Sequence, residues 1–107
     1  MQAATENVFK ALSDPTRRAI FEHLSRDGEQ TVHALTYRAG VSQPAVSKHL
    51  RVLKLASLVR RRREGRETHY SAQPQALAPV ADWMNLYGSF WRDRFDQLEN
   101  LLKRMDK

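Results

Sequence analysis

The sequence predicts a mainly α-helical fold that carries one small β-hairpin. Three observations lead to this prediction. Apolar residues recur three and four positions apart in several separate segments, as they do along one face of a helix. Two short strand-like segments then lie within about residues 58–72, on either side of a glycine-containing turn at residues 64–67. Finally, 107 residues are enough for one domain, so we expect residues 1–107 to fold as a single unit.

The first two helices are predicted from a stop and a restart in the chain. A first helix is expected over about residues 4–12. Asp14 can cap the N-terminus of a second helix, and Pro15 suits its first position because its missing N–H would have no partner there. The second helix is expected to run to about Ser25 and to bury Ile20.

The next two helices are short and are joined by a tight turn. Thr31 is the predicted cap of the third helix, Gly40 provides the turn, and Ser42 is the predicted cap of the fourth helix, over about residues 42–54. The apolar positions of the fourth helix are Val46, Leu50 and Leu53. Two short helices joined by a turn that contains glycine form a helix-turn-helix, and the β-hairpin that follows makes the arrangement a winged helix-turn-helix.

The positive charge of the chain is concentrated in this region. Residues 42–72 contain eight Lys or Arg and two acidic residues, a net charge of +6, which is the net charge of the whole chain. The remaining residues carry ten basic and ten acidic side chains and are neutral. A neutral body that presents one cationic element is typical of a protein that binds a polyanion, and double-stranded DNA is the expected partner.

The fourth helix is the candidate recognition helix. With its apolar residues buried, its polar residues face outward, where Gln and Ser can bind base edges and Lys and Arg can bind guanine or phosphate. The alternative is an ordinary amphipathic helix with a solvated polar face. His49 lies at the edge of the core, so packing and DNA contact are both open for it. The predicted DNA-binding residues are Ser42, Gln43, Pro44, Ser47, Lys48, His49 and Arg51.

The hairpin carries four consecutive arginines. Because alternate residues of a strand face opposite sides, Arg61 and Arg63 are expected on one face and Arg60 and Arg62 on the other. Arg66, at the tip, is the best candidate for a minor-groove or phosphate contact. The alternative is a solvated basic hairpin. The predicted DNA-binding residues of the wing are Arg61, Arg62, Arg63 and Arg66.

A long helix over about residues 79–105 carries a wide apolar stripe, wider than a small domain needs to cover one side of its core. We predict that it pairs with a second copy of the chain. Gly88, within the stripe, costs about 1 kcal/mol of helix propensity, which suggests a bend or a close helix approach. The predicted dimer interface is Val8, Phe9, Trp83, Met84, Tyr87, Trp91, Phe95 and Leu98. A site for an unidentified small-molecule effector near Trp83, Tyr87 and Trp91 is the alternative to a dimer core.

Other classes of protein find no support in the composition. There is no cysteine, which excludes disulfides and thiolate metal sites, and the four histidines form no metal-binding spacing. No catalytic set stands out, so we expect neither an enzyme nor a cofactor. The first residues show no signal peptide and no apolar stretch approaches 18 residues, so we expect a cytoplasmic protein.

Three segments together resemble the ArsR/SmtB family of winged-helix repressors. They are residues 12–20, which begin Leu-Ser-Asp-Pro-Thr-Arg, residues 41–53, which read Val-Ser-Gln-Pro-Ala-Val-Ser-Lys-His-Leu-Arg-Val-Leu, and residues 58–70. The resemblance extends over nearly the whole chain, and the segments stand in the order and spacing of the family. The resemblance implies a homodimer joined through the first and last helices, binding to an imperfect palindrome near a promoter, and release when an effector acts.

The chain departs from this family at its metal-sensing positions. Where metal sensors carry Glu-Leu-Cys-Val-Cys-Asp-Leu, residues 29–35 read Glu-Gln-Thr-Val-His-Ala-Leu, without either thiolate. The last helix contains no histidine, so the second metal motif of the family is also missing. The chain therefore resembles a branch without metal motifs, and we expect no metal site.

These observations predict a dimeric, sequence-specific transcriptional repressor. The main alternative is an architectural protein that binds DNA without sequence preference. A second alternative is an interaction module that kept the fold and lost DNA binding, but such a module has no need for a charge of +6 in 31 residues.

Overall fold

The computed structural model describes residues 2–106 and contains the five predicted α-helices and the predicted hairpin. The helices are α1 (Gln2–Leu12), α2 (Pro15–Asp27), α3 (Val32–Ala39), α4 (Gln43–Leu55) and α5 (Ala78–Met105). The strands are β1 (Gln30–Thr31), β2 (Val59–Glu64) and β3 (Glu67–Ala72), and a short 3₁₀ helix, Pro74–Leu77, lies between β3 and α5.

The starts of three helices are determined by local side-chain chemistry, as predicted. Each capping side chain accepts a hydrogen bond from the backbone N–H three residues further on, which satisfies an N–H that has no partner within the helix. The caps are Asp14, Thr31 and Ser42, with donor–acceptor distances of 2.8, 3.1 and 3.3 Å. Gly40 ends α3 in the left-handed conformation, with φ of 69°, which turns the chain into α4.

The sheet has three strands rather than the predicted two. Its order is β1-β3-β2, and both neighbouring pairs are antiparallel. Strand β1 has two residues, and Thr31 pairs with His69 while Gln30 pairs with Tyr70. Such a short strand shows no alternation of apolar and polar residues, so the prediction of a two-stranded wing missed it. It connects the wing to the body just before α3.

The core lies between α1, α2, α3 and α4 and the base of the wing. Val46, Leu50 and Leu53 of α4 have no exposed surface, as predicted, and Leu58 and Val59 extend the core to the start of the hairpin. The other buried residues are Val8, Ala11, Ile20, Phe21, Leu24, Leu35, Ala56 and Tyr70. Because α4 buries this stripe completely, its polar face is directed outward.

Helix α5 projects away from this core. It has 28 residues, and none of those that the structure describes in it is buried. Val80, near its start, packs against the core, whereas the apolar residues further along are exposed. The helix continues unbroken through Gly88, and a Cβ there would meet the guanidinium of Arg92 at 3.8 Å, which is ordinary contact. The close helix approach suggested for Gly88 is therefore not made within residues 2–106.

Within the described range, no helix combines the length and apolar character required to cross a bilayer.

Candidate nucleic-acid interface

The first two turns of α4 present an exposed polar surface. Gln43, Pro44, Ser47, Lys48 and Arg51 are all exposed. Pro44, Ser47, Lys48 and Arg51 lie away from the buried residues of the helix, and Gln43 lies at its N-terminal end. Pro44 lies in the first turn, where a missing N–H removes no helical hydrogen bond. This placement agrees with the predicted outward face of the recognition helix.

A cleft of about 540 Å³ separates α4 from the wing. Its basic lining residues are Arg51, Lys54, Arg61 and Arg66, and Glu67 is its acidic one. The other lining residues are Thr31, Val32, His33, Gln43, Ser47, Thr68 and Tyr70. Four cations against one carboxylate make the cleft attractive to a polyanion, and the hydroxyl and amide groups provide hydrogen bonds.

The two faces of the wing differ. Arg61 pairs with Tyr70 across the hairpin, and both line the cleft. By the alternation of a strand, Arg63 shares this face, as predicted. Arg66 lies in the turn after Gly65, at the tip, and Gly65 has a positive φ of 61°, which glycine adopts without strain.

Arg62 lies on the opposite face and is bound by carboxylates. Its Nη2 donates to Glu29 Oε1 at 2.7 Å, and its Nε donates to Glu29 Oε2 at 3.3 Å. Its Nη1 donates to Glu64 Oε2 at 3.1 Å. The hydrogen bonds from Arg62 lower the pKa of Glu29, and the same bonds to Glu29 and Glu64 raise the pKa of Arg62. The pair is therefore ionised at neutral pH.

His49 is half-buried and lies on the α2 side of α4. Its Nδ1 is buried and makes no hydrogen bond with the residues that the structure describes. A hydrogen bond from the N–H of Arg17 is the main cause that lowers the pKa of Asp14, and attraction to His49 contributes. Gln43 and Ser47 line the cleft, and His49 is not among its lining residues.

Seven residues of the cleft were missing from the predicted set, and two of them, Lys54 and His33, show why. Lys54 follows Arg51 by three positions and shares its side of α4, so helical spacing alone could have identified it. His33 belongs to α3, and its place in the cleft depends on how α3 packs beside the wing. Sequence periodicity carries no signal for that contact.

The predicted dimer surface is exposed, with one exception. Seven of its eight residues are between 44% and 65% exposed: Phe9, Trp83, Tyr87, Leu98, Trp91, Met84 and Phe95. Phe9 of α1 contacts Trp83 of α5 edge to face, with ring centroids 5.5 Å apart, so the two helices form one continuous apolar surface. Val8 is 2% exposed and belongs to the core of its own chain, so assigning its side chain to the interface was wrong.

The positions that would hold a metal in related sensors are occupied differently here. The two thiolate positions hold Thr31, whose hydroxyl caps α3, and His33, and both line the cleft. Across residues 2–106, no three His, Asp or Glu side chains converge in an arrangement that could hold a metal ion.

Comparison with known proteins agrees with this geometry. Residues 12–62 match a family described as a helix-turn-helix domain. The chain is 38% identical to the transcriptional repressor SdpR of Bacillus subtilis over 78 residues, which cover 73% of this chain and 86% of that protein.

Solved structures give the same result over more of the chain. An ArsR-like transcriptional regulator from Rhodococcus sp. RHA1 is 34% identical, with a TM-score of 0.73, and the match covers 94% of this chain and 93% of that one. The homodimeric winged helix-turn-helix DNA-binding domain Mb0332 from Mycobacterium bovis is 27% identical, with a TM-score of 0.66, over 82% of this chain and 81% of that one. The chain belongs to the ArsR/SmtB family of winged helix-turn-helix transcriptional regulators.

Proposed function

We propose that the protein represses transcription as a homodimer that binds an imperfect palindrome near a promoter. The cleft between α4 and the wing carries this proposal, because it joins the exposed polar face of a recognition helix to four basic side chains. A neutral body with its charge concentrated here fits a protein that presents one surface to DNA.

Helix α4 reads the bases in this proposal. Its exposed first turns enter the major groove, where Gln43 and Ser47 hydrogen-bond base edges. Lys48 and Arg51, on the same outward side, bind guanine edges or phosphates. His49 is half-buried, so this proposal assigns base reading to the exposed residues.

The wing supplies affinity that does not depend on sequence. Arg61, Arg63 and Arg66 bind the phosphates that flank the groove, and Arg66 reaches furthest because it lies at the tip. Each phosphate contact releases counterions, so the binding constant falls as salt rises. The N-terminus of α4, capped by Ser42, provides a further site for a phosphate.

Dimerisation places two recognition helices on one face of the DNA. The exposed apolar surface of α1 and α5 covers itself against the same surface of a second copy, as in a two-fold symmetric dimer. Two α4 helices about 34 Å apart, one turn of B-DNA, would then read two half-sites. We assign the aromatic residues of α5 to this contact rather than to an effector site. The regulator is proposed to act in the cytoplasm, with residues 1–107 as its DNA-binding domain.

Selection of DNA from a library of random duplexes tests this proposal. Purified protein should enrich an inverted repeat whose half-sites are centred about 10 base pairs, or a multiple of that distance, apart. An architectural protein would retain duplexes in proportion to their abundance and enrich no motif. An interaction module without DNA binding would retain none.

A further inference from the structure

We propose that Arg62 is a positioning residue: it fixes the wing to the body through Glu29 and does not contact DNA. This inference rests on the proposed DNA-binding function and divides the four consecutive arginines into two roles. Arg61 and Arg63 share the cleft face and bind DNA, whereas Arg62 holds the hairpin at the angle at which they can do so.

The ion pair crosses the whole sheet. Strand β3 is central, so β2 has no hydrogen bonds with β1. His69 of β3 pairs with Thr31 on one side and with Arg62 on the other. The Arg62 side chain therefore reaches across β3 to Glu29, the residue immediately before β1.

The wing needs this additional contact because β1 is so short. Its two residues pair with His69 and Tyr70, which leaves the outer part of β3 without a neighbour on that side. The outer part of the hairpin, residues 63–68, is otherwise joined to the body through its base. A bidentate guanidinium–carboxylate pair, which is the most directional ion pair available to side chains, adds a restraint at the register of His69, where the pairing with β1 ends.

His69 lies within the same group of charges. Its Nδ1 is 3.8 Å from Glu29 Oε1, and its Nε2 is 3.8 Å from Glu64 Oε2 and 3.9 Å from Glu67 Oε2. Three carboxylates around one ring repel one another, and Arg62 offsets part of this repulsion by binding two of them. The group is thus arranged around the guanidinium of Arg62.

Arg62 also has little left to offer a phosphate. All three of its side-chain nitrogens donate to carboxylates. Its face of the sheet is opposite that of Arg61, which lines the cleft. A contact with DNA would require both ion pairs to break and the side chain to move to the other face.

The variant Glu29→Gln distinguishes a positioning role of Arg62 from a role in contacting DNA. It raises the net charge by one and removes one of the two carboxylates bound to Arg62, so simple electrostatics predicts tighter DNA binding. A positioning role predicts the reverse: affinity for the selected duplex falls roughly three- to tenfold. Arg62→Gln should weaken binding to a similar extent, and the double variant should be no weaker than either single one, because all three lose the same contact.

The salt dependence of DNA binding gives a second readout, because losing a residue that only positions the wing leaves it unchanged. A plot of log K against log salt should keep its slope in Arg62→Gln, because no phosphate contact is lost. Arg61→Gln is the matched control one residue away, and its slope should fall by about 0.9. Thermal unfolding of each variant confirms that it is folded. Arg61 and Arg62 are both exposed, so neither substitution disturbs the core.

Two results would overturn the inference while leaving the proposed function intact. One is that Glu29→Gln binds the selected duplex as tightly as the wild type or more tightly. The other is that Arg62→Gln flattens the salt slope as much as Arg61→Gln does, which would make Arg62 a phosphate contact. A wild-type protein that prefers no duplex would instead refute the proposed function itself.

Discussion

Arg61 and Arg62 are adjacent in the chain, but their side chains lie on opposite faces of the wing. Arg61 lines the cleft beside α4, and Arg62 binds Glu29 on the other side of the sheet. The run of arginines is therefore not a uniform basic patch. One face provides charge for DNA, and the other stabilises the position of the hairpin.

The Glu29–Arg62 pair should make stability depend on pH in the acid range. Arg62 lowers the pKa of Glu29 below its ordinary value of 4.5, so the folded protein binds this proton less tightly than the unfolded chain. The contribution is complete above the unfolded pKa and is lost as the pH falls through the lowered folded pKa.

We therefore expect the melting temperature of the wild type to fall more steeply between about pH 6 and pH 3 than that of Glu29→Gln. The difference should be small and should shrink in high salt, because both side chains are partly exposed. Equal pH dependence in the two proteins would contradict the contribution of this pair. Asp14, whose pKa is also lowered, titrates in both and cancels in the comparison.

Two leucines of α4 test whether the helix faces the way described. Leu50 has no exposed surface, whereas Leu55 is 79% exposed. Leu50→Ala should lower the free energy of unfolding by about 2–5 kcal/mol, because it leaves a cavity in the core. Leu55→Ala removes the same atoms at the surface and should change the free energy of unfolding by less than about 0.5 kcal/mol. Denaturant unfolding curves measure both, and similar losses would mean that α4 is packed differently.

A charge in the apolar stripe of α5 should prevent dimerisation. Trp91 is 57% exposed in the single chain and would be covered in the dimer. Trp91→Asp should therefore sediment as a monomer and lose most of its affinity for a two-half-site duplex.

Asn100→Asp is the control for this variant, because it introduces the same charge on the same helix. Nine residues at 100° each place Asn100 on the opposite side of α5 from Trp91, by about 180°. This protein should remain dimeric. A dimer of unchanged mass in Trp91→Asp would locate the interface elsewhere.

Gln43 and Arg66 should affect DNA binding in different ways. Gln43→Ala should weaken binding to the selected duplex by about 1–3 kcal/mol and leave binding to a scrambled duplex almost unchanged, because a lost base contact affects sequence choice. Arg66→Ala should weaken binding to both duplexes and reduce the salt slope by about 0.9. Competition titrations with the two duplexes separate these effects. An unchanged preference in Gln43→Ala would contradict its assignment to base reading.

Local signals were enough to predict most of the fold. Asp14, Thr31 and Ser42 cap helices through bonds to residues three positions away, and short spacing also identified the buried face of α4. Strand β1 could not be found this way, because its two residues are defined by pairing with His69 and Tyr70, far along the chain.

The candidate site also combines features that local patterns predict with features that depend on tertiary contacts. Helical and strand periodicity placed Ser47 on the outward face of α4 and Arg61 on one face of the wing, and both line the cleft. The same reasoning could have identified Lys54. The bond between Arg62 and Glu29 joins residues 33 positions apart, which no local pattern reveals. Val8 and Phe9 are neighbours on α1, yet one packs inward and the other outward, a choice made by tertiary packing.

The most direct test of the central claim is binding of the purified protein to the DNA upstream of its own gene, against a scrambled duplex of equal length, over a salt series. We predict a complex with the upstream DNA that is at least about 10³-fold tighter, since specific regulators exceed their own non-specific binding by this factor or more. Equal affinity for the two duplexes, falling equally with salt, would contradict sequence-specific recognition by α4.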